Sequence, residues 1–188
     1  MTGILGGTFD PPHNGHVAVA QAARREYGLE KLIVLVAAAP GHKRVETTAE
    51  QRFRLAQAAF PDDDVRLDEH PYTVDAVAGG RYPDALFLVG ADEFCDFPTW
   101  KDPEGVLREV ELAVATRPGY PRERLQSVLE RLEHPERVRF FVIPPVDIAS
   151  RDIRVRVARG EPIDALVPPA VARLVAELGL YRASASGG

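Results

Sequence analysis

Gly6-Gly7-Thr8-Phe9-Asp10-Pro11-Pro12-His13-Asn14-Gly15-His16 follows a short apolar run, Ile4-Leu5, and leads into an alanine-rich helical pattern. The stretch predicts a strand, a glycine turn and a helix start. Two adjacent glycines let the backbone pass close to a ligand where a Cβ would collide. His13 and His16 stand three residues apart. With Asn14 as the helix cap, His16 falls in the first turn, where unpaired N–H groups and the positive end of the helix dipole favour an anion. A polyphosphate suits such a turn. An ordinary tight turn explains one glycine and leaves both histidines without a task. A metal shared by the two histidines is a weaker rival, because only Asp10 offers a third ligand.

Outward from this junction, strand and helix patterns alternate. Val17, Ala20, Ala23 and Tyr27 recur at helical spacing and Gly28 supplies a stop. Leu32-Ile33-Val34-Leu35-Val36 is a continuous β-branched run of the kind buried on both faces of a parallel sheet. Thr48 and Gln51 have capping-box spacing, and Pro61 ends the helix they start. Val65–Leu67, Leu86–Gly90, Leu112–Ala115 and Val138–Ile143 read as further strands, and 122–133 as a surface helix. A loop enters a helix near Ser150, and a last amphipathic helix follows Pro168-Pro169. The pattern predicts one α/β domain over residues 1–182: a doubly wound, Rossmann-like fold with a mostly parallel sheet and helices on both faces. Its site should lie beyond the carboxyl ends of the strands. Residues 183–188 are small and polar, and are expected to form a disordered tail.

The composition, 45% hydrophobic and 27% charged, is that of a globular chain. A net charge of −5 opposes a sequence-independent grip on nucleic acid. Cys95 is the only cysteine, so an internal disulfide and a cysteine metal cluster are both excluded. The N-terminus shows no secretory pattern, and the longest apolar run, Leu32–Ala39, is far short of the roughly 20 residues of a spanning helix. A cytoplasmic protein without membrane partners is expected. The dinucleotide fingerprint Gly-x-Gly-x-x-Gly and the phosphate loop ending Gly-Lys-Ser/Thr are both absent, and no serine sits in a Gly-x-Ser-x-Gly elbow.

The opening stretch resembles the N-terminal signature of the nucleotidylyltransferases, whose His-x-Gly-His element is shared with class I aminoacyl-tRNA synthetases. Its wording is most similar to that of the nicotinate mononucleotide adenylyltransferases. The resemblance continues in order through His42-Lys43, Tyr72-Thr73-Val74-Asp75, Gly90-Ala91-Asp92, Trp100-Lys101, Arg117-Pro118-Gly119 and Ile148 to Arg154, and into the chain's ending. It implies transfer of AMP from ATP to nicotinate mononucleotide, giving nicotinate adenine dinucleotide and pyrophosphate in NAD biosynthesis.

The resemblance also implies roles. His13, His16, Lys43 and Arg154 would be catalytic. Gly6, Gly7, Thr8, Phe9, Asp10, His16, Asp92, Ser150, Arg151 and Arg154 would hold ATP. Tyr72, Thr73, Trp100, Lys101 and Arg117 would form the nicotinate side, with the indole stacked on the pyridine ring. Mg²⁺ would enter with ATP on its phosphates, and no protein metal site is expected. The family often assembles, so a homo-oligomer is an open expectation. One segment departs from the family pattern: Ala149 replaces a serine and Arg151 a threonine, exchanging two hydroxyl donors for a guanidinium that can grip phosphate. Nicotinamide mononucleotide or 4′-phosphopantetheine as acceptor, and a nucleotide-binding module without turnover, are the alternatives.

Overall fold

The computed structural model describes residues 1–40 and 45–183. The expected Lys43 contact and the expected disordered tail from 184 onward lie outside the described residues. Six strands form one all-parallel sheet: β1 (Thr2–Gly7), β2 (Lys31–Ala37), β3 (Asp64–Asp68), β4 (Ala85–Gly90), β5 (Glu111–Thr116) and β6 (Val138–Val142). Their order is β3-β2-β1-β4-β5-β6, so the chain winds outward from β1 in one direction and then, from β4, in the other. Ile4 lies between Ile33 of β2 and Phe87 of β4. The point where the order reverses is therefore the carboxyl end of β1 and β4, where open sheets of this type leave a crevice.

The continuous apolar strands follow from cover on both faces. Leu5, Val34, Val36 and Leu88 join one core, with α1 (Asn14–Tyr27), α2 (Ala49–Ala59), α7 (Ser150–Ala158) and α8 (Pro169–Glu177). Ile4, Ile33, Leu35 and Phe87 join the other, with α3 (Thr73–Val77), α4 (Ala91–Asp96), α5 (Pro103–Glu109) and α6 (Arg122–Leu129). Successive strand residues alternate between the two cores, as the period-2 geometry requires.

Local chemistry sets most boundaries. Gly28 closes α1 in the left-handed conformation at φ 62°, and Thr48 and Gln51 exchange the two bonds of a capping box, Gln51 N donating to Thr48 Oγ1 at 3.2 Å and Thr48 N to Gln51 Oε1 at 2.9 Å. Two expectations are corrected. The cap of α1 is His13, not Asn14, whose amide instead donates to Ala165 O at 3.1 Å. The surface helix expected over 122–133 ends at Leu129, because the Glu104 carboxylate of α5 takes the Glu133 N–H at 3.0 Å and draws the chain away.

Candidate active site

At the end of β1 the backbone must pass close to two rings. A Cβ on Gly6 would lie 2.9 Å from Phe87 Cζ, and one on Gly7 would lie 3.1 Å from Phe9 Cζ. Phe9 adopts φ 52° and is buried against Phe60, with its ring 5.1 Å from that of His16. The ring is buried in the core beneath the turn and supports it, which leaves the backbone of Phe9 as its part of the turn.

The two histidines cap their own helix. Gly15 N donates to His13 Nδ1 at 3.1 Å, His13 N donates to His16 Nδ1 at 3.1 Å, and the rings lie 3.8 Å apart. Each Nδ1 serves as an acceptor, so a neutral ring carries its hydrogen on Nε2. Burial pushes the His13 imidazole down to about 4. Near neutral pH His13 is therefore an uncharged donor with a fixed tautomer, an arrangement suited to an oxygen that gains negative charge during reaction.

Asp10 is bound on all sides by the protein. Its carboxylate is buried and already accepts three hydrogens: from Thr47 Oγ1 at 2.6 Å, from Glu46 N at 2.8 Å and from the Tyr181 hydroxyl at 2.7 Å. Asp10 ties the turn to the segment after β2 and to the segment after α8. The Ser150 hydroxyl likewise holds the turn, donating to Pro11 O at 2.8 Å. Arg154 is brought to the turn as expected. Its guanidinium donates to Asp10 O at 2.8 Å and to Glu46 Oε1 at 3.0 Å. Arg151 is exposed one residue into α7 and has no hydrogen-bond or ion-pair partner among the described residues.

Beside the turn opens a cavity of about 500 Å³, lined by Gly6, Gly7, Thr8, Tyr72, Thr73, Trp100 and Lys101 among others. The sequence-expected nicotinate residues other than Arg117 thus gather with the glycines. Phe87 and Phe97 meet the indole of Trp100 edge-on, at 6.5 and 5.3 Å between centroids, which fixes its plane. Lys101 Nζ lies 2.9 Å from Asp75 and 4.5 Å from the Tyr72 ring centre. Sequence reasoning missed Asp68 and His70, which also line this cavity. The Asp-x-His spacing at the end of a strand was the available signal.

Arg117 is not among the residues that line the cavity. It pairs instead with Asp92 at 3.6 Å and Asp147 at 3.7 Å. Asp92 also receives the Tyr120 hydroxyl at 2.9 Å and faces Arg124 at 3.8 Å. Burial, with bonds to Cys95 and Asp92, raises the Tyr120 phenol above its ordinary value, so it remains a donor to Asp92. Asp92 is exposed beyond β4, in the first turn of α4.

Among the described residues the Asp10 carboxylate at the turn is filled by protein donors. Among the described residues, the one cluster with metal-ligand spacing is Glu104, Glu133 and His134, between α5 and the loop after α6. The turn's donors and Arg154 suit phosphate oxygens, with any ion carried on those oxygens.

The chain matches the family profile described as cytidylyltransferase-like over residues 4–156. It is 39% identical to a probable nicotinate-nucleotide adenylyltransferase of Moorella thermoacetica, covering 98% of this chain and 93% of that one. It is 37% identical to a probable nicotinate-nucleotide adenylyltransferase of Rubrobacter xylanophilus, covering 97% and 92%. In fold it is similar to the nicotinic acid mononucleotide adenylyltransferase of Plasmodium falciparum, with a TM-score of 0.71 at 16% identity over 96% of each chain for the structure complexed with APC. The structure of that protein complexed with NaAD also gives 0.71, at 17% identity.

Proposed function

The chain belongs to the cytidylyltransferase-like family, and we propose that within it the protein is the adenylyltransferase that joins AMP from ATP to nicotinate mononucleotide, forming nicotinate adenine dinucleotide and pyrophosphate. The observation that carries the reading is the reciprocal histidine cap at the end of β1, set beside a cavity that holds Trp100. Fixed Nε2 donors serve a phosphoryl centre, and an indole held by two phenyl edges serves a flat pyridine.

The acceptor's phosphate is anionic near neutral pH and attacks the α-phosphorus directly. One P–O bond forms, the α–β bridging bond breaks, and the electron pair leaves with pyrophosphate, so no protein base is needed. The chain's work is alignment and charge neutralisation. His13 and His16 donate to the reacting phosphates, Arg154, Arg151 and Lys43 neutralise them, and Gly6 and Gly7 let the backbone approach. Asp92 orients a ribose, while Thr73, Trp100 and Lys101 receive the acceptor. Mg²⁺ bound to the triphosphate would supply further neutralisation of the leaving group. The net charge of −5 favours small-molecule partners over nucleic acid, and the single cysteine fits a cytoplasmic enzyme.

Pyrophosphate release with ATP, Mg²⁺ and each acceptor in turn tests the reading. Release is expected with nicotinate mononucleotide and not with 4′-phosphopantetheine. ATP binding without release for any acceptor would leave a nucleotide-binding module in its place.

A further inference from the structure

The segment that follows β2 returns to the glycine turn at Glu46, three residues beyond Lys43 in sequence. Glu46 is tied there twice. Its backbone N–H donates to Asp10 Oδ2 at 2.8 Å, and its carboxylate accepts from Arg154 Nε at 3.0 Å. The Asp10 carbonyl takes a hydrogen from Arg154 Nη1 at 2.8 Å. One residue of the turn thus anchors both the glutamate and the guanidinium that the glutamate grips. The Arg154 side chain is 17% exposed and that of Glu46 is 51% exposed, so the carboxylate braces the arginine from the solvent side.

A guanidinium carries five N–H donors in one rigid plane. Among the described residues, Glu46 and Asp10 use one on Nε and one on Nη1. The other three lie on Nη1 and Nη2, the terminal edge that meets phosphate oxygens in pairs. Bonds on two different nitrogens fix the plane, whereas the bond to Asp10 O alone would let it turn. A half-exposed ion pair adds little to stability, and its negative charge opposes a triphosphate. What the Glu46 carboxylate can supply is orientation. We propose that Glu46 is a positioning residue for phosphoryl transfer, setting the plane of Arg154 so that its terminal nitrogens meet the triphosphate oxygens. The inference rests on the adenylyltransferase reading and adds to it a side chain that no sequence motif marked.

The test compares Glu46→Ala with Glu46→Gln, using ATP, Mg²⁺ and nicotinate mononucleotide. Both variants remove the charge, and only glutamine keeps an oxygen for Arg154 Nε, so the difference between them reports the hydrogen bond. Glu46→Gln should hold kcat/KM for ATP within about threefold of the wild type, and Glu46→Ala should fall about tenfold below Glu46→Gln, with KM for the acceptor unchanged. In an Arg154→Ala background the two Glu46 variants should be equal, because the bond in which they differ is gone. Equal kcat/KM for the two variants with Arg154 present would overturn the proposal. So would a difference that persists without Arg154, as expected of a purely structural role, or better use of ATP by Glu46→Ala, as expected of a carboxylate that merely competes with phosphate. Failure of the wild type to release pyrophosphate with any acceptor would refute the enzymatic reading instead. Calorimetric titration of ATP into the same proteins then decides the role of Glu46: weaker binding in Glu46→Ala than in Glu46→Gln supports it, and equal binding overturns it.

Discussion

At the residue scale the two histidines carry both structure and chemistry, and the two can be separated. His13 is held neutral by burial, with its imidazole at about 4 against an ordinary value of 6.5. Between those two values the unfolded chain binds a proton that the folded chain refuses. The folded state's advantage is therefore complete above about pH 6.5 and is lost as pH falls towards about 4, a span worth on the order of 3 kcal/mol. Asparagine at 13 would keep a side-chain acceptor for Gly15 N and cannot titrate. Thermal midpoints at about pH 7 and pH 4.5 should differ by several degrees less in His13→Asn than in the wild type. Identical pH profiles would show that His13 is not held neutral. His16→Ala should fold and lose roughly 100-fold or more in kcat, as for removal of one transition-state donor. Near-normal turnover would remove His16 from the mechanism. The histidines were legible because their spacing and glycine setting are local. The identity of the cap was not, because Asn14 outranks His13 in intrinsic capping preference. The roles of Asp10 and Ser150 were hidden for another reason: their partners Thr47, Tyr181 and Pro11 lie 37, 171 and 139 residues away.

At the element scale, one helix side chain sets the mouth of the crevice. Arg52 of α2 is 1% exposed, and its guanidinium donates to Thr8 O at 3.3 Å, to Ala38 O at 2.9 Å and to Ala37 O. It thus joins the ends of β1 and β2, the strands that deliver the glycine turn and the segment leading to Lys43. Burial pulls its pKa down, while the Asp10 charge nearby favours the cation. Arg52→Met would fill similar space and leave three carbonyls without this donor and Asp10 without a countercharge. The expected loss is on the order of 3 kcal/mol, read as a lower urea midpoint at unchanged slope. A loss under about 1 kcal/mol would mean that water replaces the guanidinium. In sequence Arg52 looked like one more polar helix position. The Thr48–Gln51 box four residues upstream was legible because both of its bonds are local, whereas the end of α6 was not, because it depends on Glu104 of another helix.

At the scale of the whole molecule, the doubly wound sheet was readable from buried apolar runs alternating with helices. What no local pattern announces is that the segment after α8 reaches back to the turn. After α8, Gly179 turns the chain at φ 61°, and Tyr181 follows in the left-handed region at φ 60°. For a residue with a side chain this conformation costs on the order of 1–2 kcal/mol. It delivers a buried ring into the core and a hydroxyl onto Asp10 at 2.7 Å. Burial and the Asp10 charge raise the phenol well above its usual value, so it stays a donor. Asp10 in turn holds Glu46 and Thr47, and its carbonyl holds Arg154, so three distant segments meet at the turn. Tyr181→Phe keeps the ring and deletes one hydrogen bond to a buried carboxylate. If that bond positions the phosphate groups, kcat/KM for ATP should fall roughly tenfold, with KM for the acceptor nearly unchanged, because the Trp100 cavity lies on other elements. If Tyr181 serves stability alone, the thermal midpoint should drop while kcat and both KM values, measured well below it, stay at wild-type levels.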